Sequence, residues 1–272
     1  MSSVVVSKLT IYPVKGCRGY SLTETRVTPM GLVGDREFTV LLDGERAGQK
    51  QILELIHLSA KWIGDHELLL GYPGKSDFEL PTELGSPSAD VDIYSKKIPT
   101  LDMGDEVAAW LSDAFEKTVR LVRAREAYDW FLPLKEFSGV HGQKQTKFID
   151  AAPILLTNQS SLDDLCQRMD APIPMNRFRP NIVVSDLEAY REDDLPAFNF
   201  PRLTLNRVTV CERCIVTTTD QNTGGRAKEP LRTLGKYRKR KNDYAGGIMF
   251  GIYLTPDSDG DISVGDVMQE PA

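Results

Sequence analysis

Short β-branched runs, each closed by glycine, proline or an Asp-Gly pair, recur along nearly the whole chain. That texture limits the fold to mainly β architectures. "SVVVSKLTIYPV" reads as a strand stopped by Pro13 and the "KGCRGY" turn. "EFTVLLDGERAGQ" reads as a hairpin, because Asp43-Gly44 suits the positive φ angles of a tight two-residue turn. "HELLLGYPGKSDFEL" and "ADVDIYSKKIPTL" continue in kind, with turns at Gly-Tyr-Pro-Gly and Ser-Lys-Lys. "TVRLVRA" alternates as a strand, and "PILLTN" reads as a buried one. Further on, "FRPNIVVSD", "RLTLNRVTV", "CIVTTTD", "GIMFGIYLTP" and "DISVGDVMQE" give five more strand candidates.

Helices are few. "EVAAWLSDAFEK" puts Val107, Trp110, Leu111 and Phe115 on one face, with Asp105 expected as cap. "SSLDDLCQRMD" is expected to start at Ser160 or Ser161 and to carry Cys166 on its apolar side. "EPLRTLGKYRKRK" has Pro230 in a first-turn position. The mixed stretch 124–147 reads as a linker or surface excursion. The predicted class is therefore mixed α+β, mainly β, a barrel or sandwich with helices packed outside. No Gly-rich phosphate loop follows a strand.

With 272 residues the chain can form one large domain or two smaller ones, and a net charge of −6 argues against general nucleic-acid binding. No apolar run is long enough to span a membrane, and the N-terminus shows no signal pattern. A cytoplasmic location is the default expectation, or mitochondrial if a targeting segment has been removed. Cys17, Cys166, Cys211 and Cys214 are too few for a disulfide scaffold.

"TVCERCIVTTTD" sets Cys211 and Cys214 three apart. A structural zinc site wants two further ligands, and His57, His66 and His141 form no ligand-spaced pair. A thioredoxin-like motif would open a helix, whereas "IVTTTD" reads as strand. Neither use of the pair is satisfied by its surroundings.

Six segments, in order, carry a resemblance: "IYPVKGCRGY", "GLVGDREFTV", "NRFRPNIVV", "CERCIVTTTDQNTG", "KEPLRTLGKYR" and "MFGIYL", with "ISVGDVM" at the end. Together they resemble MOSC-domain proteins, and among them the amidoxime-reducing components. The resemblance implies a MOSC N-terminal β-barrel-like region over 1–122, with roughly residues 1–36 contributing to the site, and a MOSC β-barrel with flanking helices over 123–272. It implies a molybdenum cofactor (Mo-molybdopterin), with Cys214 as the thiolate ligand and catalytic centre. A soft, strongly donating sulfur suits a metal that changes oxidation state. Lys15, Arg36 and Arg179 are implied to hold the pterin and its phosphate, arginine as a planar fork and lysine as a point charge. Gly16 would admit close backbone approach. Asp150, Ala151, Ala152, Cys211, Glu212, Arg213 and Tyr253 are implied to line the cofactor, although Cys211 and Tyr253 could equally be packed core.

The implied reaction is reduction of N-hydroxylated compounds (amidoximes, N-hydroxyguanidines, hydroxylamines): R–N–OH, two electrons and two protons give R–NH and water. No cysteine set for an iron–sulfur cluster is left over. Electrons would therefore come from a separate heme or flavin protein, such as a cytochrome b5-like donor. Lys236–Lys241, "KYRKRK", has three open readings: a dock for such a donor, a contact to the cofactor phosphate, or a solvated face. Lys50 stands where the family has an arginine. Two other readings remain open at this stage. One is a cofactor carrier or sulfur-transfer accessory without turnover, the other a Cys-x-x-Cys metal staple across a dimer.

Overall fold

The computed structural model describes residues 3–83, 85–93, 96–125, 147–149, 151–241 and 246–268. The stretch expected to be a linker, Ser95 of the expected Ser-Lys-Lys turn and Asp150 fall wholly or largely outside them, while Lys96 and Lys97 begin the strand Lys96–Asp102. The fold is mainly β, as the alternation predicts. Its largest sheet has eight strands. In spatial order they are Ala197–Phe200, Leu203–Glu212, Gly246–Pro256, Ile154–Asn158, Ile182–Ser185, Val5–Ile11 and Tyr20–Leu22, with Lys239–Lys241 paired to one end of Gly246–Pro256. Ile154–Asn158 and Ile182–Ser185 run parallel. Parallel neighbours need a crossover, and helix Gln159–Gln167 lies on it. A five-stranded antiparallel sheet follows the order Ser86–Ile93, Lys96–Asp102, Val119–Ala124, Phe38–Leu42, Glu45–Ala47.

Strands near the N-terminus complete sheets built from the C-terminal half. Val5–Ile11 pairs with Ile182–Ser185, and Glu24–Thr28 pairs with Gly260–Ser263. Leu9, Ile11, Ile154, Leu156, Ile182, Leu205 and Ile252 accordingly share one core. A second core, around Phe38, Leu55, Leu111 and Phe115, fills the other sheet under helix Asp105–Phe115. A small third cluster lies between them. Leu41, Ile98 and Val122 of the five-stranded sheet meet Phe148 and Ala152, with Val208 and Tyr253 of the eight-stranded sheet packed against them.

The Asp43-Gly44 turn forms as expected, with φ of 53° and 81° between Phe38–Leu42 and Glu45–Ala47. Both helix caps differ from expectation. Asp105 is already helical, and Gly104, at φ 100°, is the cap residue. Its own N–H is held by Asp102 Oδ1 at 2.8 Å, and Asp105 instead reaches Arg120. Helix Gln159–Gln167 is capped by Asn158, whose Oδ1 accepts from Ser160 N at 3.1 Å. Ser161 is drawn away to Glu192 by a buried 2.7 Å hydrogen bond. The largest departure is "IVTTTD". Ile215–Thr218 is a short 3-10 turn, not a strand. Thr217 Oγ1 donates to Cys214 O at 3.0 Å and Thr218 Oγ1 to Ile215 O at 2.7 Å. Threonine hydroxyls that bond back three residues outweigh β-branched propensity here.

Candidate active site at the seam between the sheets

The strand Val5–Ile11 leaves its sheet at Tyr12 and delivers Lys15 and Gly16 to the seam. Lys15 N donates to Phe38 O at 2.8 Å, so the turn lies against the five-stranded sheet. Gly16 adopts φ 89°, a conformation with a low cost only for glycine. Lys15 is nearly buried, and its Nζ donates to Phe148 O at 2.9 Å. Phe148 N in turn donates to Arg36 O at 3.1 Å.

Arg36 and Arg179 both sit in left-handed backbone, at φ 49° and 55°. Such positions are strained for any residue but glycine and persist only where the surroundings over-determine them. The surroundings do so here. Asp35 is buried; its Oδ1 accepts from Tyr12 N at 2.8 Å and its Oδ2 pairs with Arg36 Nη1. Asn181 Oδ1 accepts from Arg36 Nη1 and Leu155 N, each at 3.2 Å, while its Nδ2 donates to Thr10 O. Arg36 Nη2 reaches Arg179 O at 3.4 Å. The two guanidiniums lie over the Tyr12 ring, at 4.9 Å for Arg36 and 4.1 Å for Arg179. Burial holds the Arg179 guanidinium below the usual arginine range. It also pushes the Tyr12 phenol up to about 12.

On the other side of the seam, Cys211 ends strand Leu203–Glu212 and is buried, while Cys214 is exposed and heads the 3-10 turn. Arg213 lies between them. Its Nη1 donates to Cys211 Sγ at 2.8 Å, its Nη2 donates to Phe178 O, and its guanidinium lies 5.3 Å from the Phe178 ring. Burial works against the charge of Arg213, but Cys211, Tyr253 and Cys214 around it hold the guanidinium above its usual range. Glu212 is half-buried and its carboxylate lies over Gly247. Ala151, Ala152, Phe148 and Tyr253 pack in the small cluster that bridges the sheets.

A chain of neighbours links the candidates. Cys214 follows Arg213, whose charge feels Cys214 and Tyr253 and whose guanidinium bonds Phe178 beside Arg179; Arg36 bonds Arg179 O, and Phe148 joins Arg36 to Lys15. Residues that sequence reasoning missed hold this run in place. Gln49 and Gln221 exchange reciprocal amide bonds of 2.8 and 3.1 Å across 172 residues. Gln49 Nε2 also donates to Gly16 O at 2.8 Å, and Gln221 Oε1 accepts from Arg179 at 3.4 Å. The Gly16 turn is thereby tied to the segment that follows Cys214. Lys50, next to Gln49, is exposed. The run Lys236–Lys241 divides in two. Arg238 and Arg240 are paired to the buried Asp193, whereas Lys236, Lys239 and Lys241 are exposed.

Among the described residues no three His, Cys, Asp or Glu side chains converge as a ligand set, and no helix is long and apolar enough to cross a membrane. The described residues thus offer Cys214 no set of three such companions for a metal. The donor set fits an anionic, metal-bearing organic cofactor. It pairs one exposed sulfur with a neighbouring guanidinium, two further arginines and a lysine, and a glycine turn that a Cβ would bring to 3.0 Å of Leu55 Cδ1.

Residues 3–118 match the MOSC N-terminal beta barrel domain, and residues 143–269 match the MOSC domain. The chain is 34% identical to mitochondrial amidoxime reducing component 2 of Bos taurus over 275 residues, covering 96% of this chain and 81% of that protein. It is 34% identical to the component 2 protein of Rattus norvegicus over 280 residues, with the same coverage of both chains. Against mitochondrial amidoxime-reducing component 1 of Homo sapiens it is 31% identical over 283 residues, covering 96% of this chain and 81% of that one. The chain belongs to the MOSC-domain family of amidoxime-reducing components.

Proposed function

We propose that the protein is a molybdenum-cofactor-dependent reductase of N-hydroxylated compounds, supplied with electrons by a separate heme- or flavin-bearing protein. The observation that carries this reading is a single exposed thiol, Cys214, beside Arg213 and joined by contacts to Arg179, Arg36 and Lys15. When bound, the cofactor supplies a metal able to pass two electrons to an N–O bond. Cys214 offers that metal its one protein sulfur. Arg213 places positive charge beside it, and Cys211 anchors Arg213 rather than the metal.

Lys15, Arg36 and Arg179 bind the anionic end of the cofactor, the arginines already oriented by Asp35, Asn181 and Tyr12. Gly16 lets a backbone N–H approach. Ala151 and Ala152 offer small walls, Ala152 buried in the cluster that bridges the sheets, and Tyr253 closes the side toward the sheet. Support for the substrate class comes from the names of the relatives.

The test is reduction of benzamidoxime by cofactor-loaded protein with a viologen reductant. Turnover is expected, and Cys214→Ala is expected to abolish it together with the bound molybdenum. A protein that binds and releases cofactor without turnover would be a carrier, and the reading would fail. Zinc or iron in place of molybdenum would refute it as well.

A further inference from the structure

On the face of the eight-stranded sheet away from its apolar core lies a cavity of about 220 Å³. Its floor follows from strand register. Lys8 pairs with Val183 and Thr10 with Ser21, and all four line the cavity. Leu9 and Ile11, alternating with them, point into the core. Gly19 keeps the floor open, since a Cβ there would come within 2.4 Å of the Tyr12 ring. One wall is the segment Met175–Pro180 and another is Gln221.

Three cations converge on this space: Lys8, Arg18 and Arg179. Among the described residues no carboxylate lines the cavity. Among the described residues, Lys8 and Arg18 have no ion-pair or hydrogen-bond partner for their side chains. The Arg179 guanidinium has only a 3.4 Å contact with Gln221 and the Tyr12 ring beneath it. Asn176, also in the lining, has a buried Oδ1 with no hydrogen-bond partner among the described residues; an acceptor, it adds nothing to the pull on an anion. Three unneutralised cations around one concave space, in a chain of net charge −6, focus positive potential into it. The planar forks of two arginines match the oxygens of a tetrahedral dianion. The volume falls below that of a drug-sized pocket, so the ligand is small.

We infer that this cleft is a second anion site, which binds the phosphate of inorganic phosphate or of a small phosphate monoester. Of the candidate cofactor residues only Arg179 lines it, so the two sites adjoin through one side chain and use different partners otherwise. A phosphate in the cleft could come from solution or from the terminal phosphate of the cofactor itself, and the test separates the two sources.

Inorganic phosphate and methyl phosphate are titrated by calorimetry into cofactor-free and cofactor-loaded protein, with chloride at matched ionic strength as control. Saturable one-to-one binding of both anions to both forms is expected, weaker in the loaded form because Arg179 is then shared with the cofactor. Lys8→Gln and Arg18→Gln should each weaken it about tenfold, the scale of one lost charge-assisted contact. Both side chains are exposed and unpaired, so the variants should keep the parent melting temperature and cofactor content. Absence of saturable binding, or unchanged affinity in the double variant, would overturn the inference. Phosphate binding that disappears on cofactor loading, or cofactor loss in the variants, would assign the cleft to the cofactor and also overturn it. No arm depends on turnover, so the result stands apart from the proposed reductase activity.

Discussion

The amide pair Gln49–Gln221 offers the sharpest test of how the site is held. Both side chains are almost fully buried, and each spends both amide hydrogens. Gln49 Nε2 donates to Gly16 O and Gln221 Oε1; Gln221 Nε2 donates to Gln49 Oε1 and Thr219 O. Gln221→Ala leaves Gln49 with an acceptor and one N–H that have no partner. Each orphaned buried group costs about 1–3 kcal/mol, and water entering the new space returns part of that. The expected loss is about 2–4 kcal/mol in urea unfolding. Gln49→Ala leaves one Gln221 N–H and Gly16 O without a partner, while Gln221 Oε1 keeps its contact with Arg179, so the cost should be of the same size.

Removing both partners costs less than the two single losses added together, because neither amide is then left facing an empty site. The coupling should be about 1–3 kcal/mol. The second readout is cofactor retention after gel filtration, which should fall in all three variants, since Gly16 is no longer tied to the segment after Cys214. Additivity within about 0.5 kcal/mol, or single variants as stable as the parent, would show that the pair does not join the two loops, and the reasoning would fail.

Burial raises the Cys17 thiol from 9.0 to about 11 and the Tyr12 phenol from 10.0 to about 12. The folded state thus holds both protons more tightly than the unfolded chain. Stability is fully present below about pH 9 and falls as pH rises through 11 and 12; Cys17→Ala should flatten the lower part of that fall in urea titrations. Iodoacetamide should label Cys214 first in native cofactor-free protein and Cys17 and Cys211 only on unfolding, following their exposure. Cofactor loading should protect Cys214, and equal labelling of loaded and unloaded protein by mass spectrometry would remove it as a ligand. Lys239 pairs with Ile248, whose carbonyl accepts from Arg213 N, so Lys239 lies two strand spacings from the residue before Cys214. Charge reversal at Lys236, Lys239 and Lys241 should slow reduction by an acidic protein donor and leave the viologen-driven rate unchanged; equal slowing of both would place the lysines in the site itself.

The strands were legible wherever a β-branched or apolar run was long enough and bounded by turn residues, as in Val5–Ile11, Phe38–Leu42 and the wholly buried Ile154–Asn158. Tyr20–Leu22 and Gly31–Leu32 are too short to show a period, and their place is set by the strands they pair with. The caps escaped because several residues at each helix start could serve, and tertiary partners decided: Glu192 took Ser161, which left Asn158 to cap. The "IVTTTD" turn escaped because threonine favours strands on average but bonds back to the chain beside Cys214. Of the site, the charged residues could be read from motifs. Gln49 and Gln221 could not, because a neutral amide has no sequence signal until its partner, 172 residues away, is beside it. Asp35 and Asn181 lay inside the quoted motifs, and their adjacency to Arg36 and Arg179 was the available clue.

The missed residues share a physical role that the charged ones cannot fill. Arg36 and Arg179 sit in backbone conformations that cost about 1–3 kcal/mol each, and a bound anion is not needed to keep them there. Asp35 joins Tyr12 N to Arg36, and Asn181 joins Thr10, Leu155 and Arg36, so one buried carboxylate and one buried amide fix the arginine loop to two strands of the large sheet. Both polar groups are nearly inaccessible to solvent, where an incomplete network would be strongly destabilising. The fold therefore satisfies the hydrogen-bond requirement of this pair only when Arg36 is held in place, and Arg179 is held separately by Gln221 and the Tyr12 ring. The same arrangement that solves the burial problem orients the cations toward the seam, so ordering them is part of folding and leaves less to be lost when an anion binds.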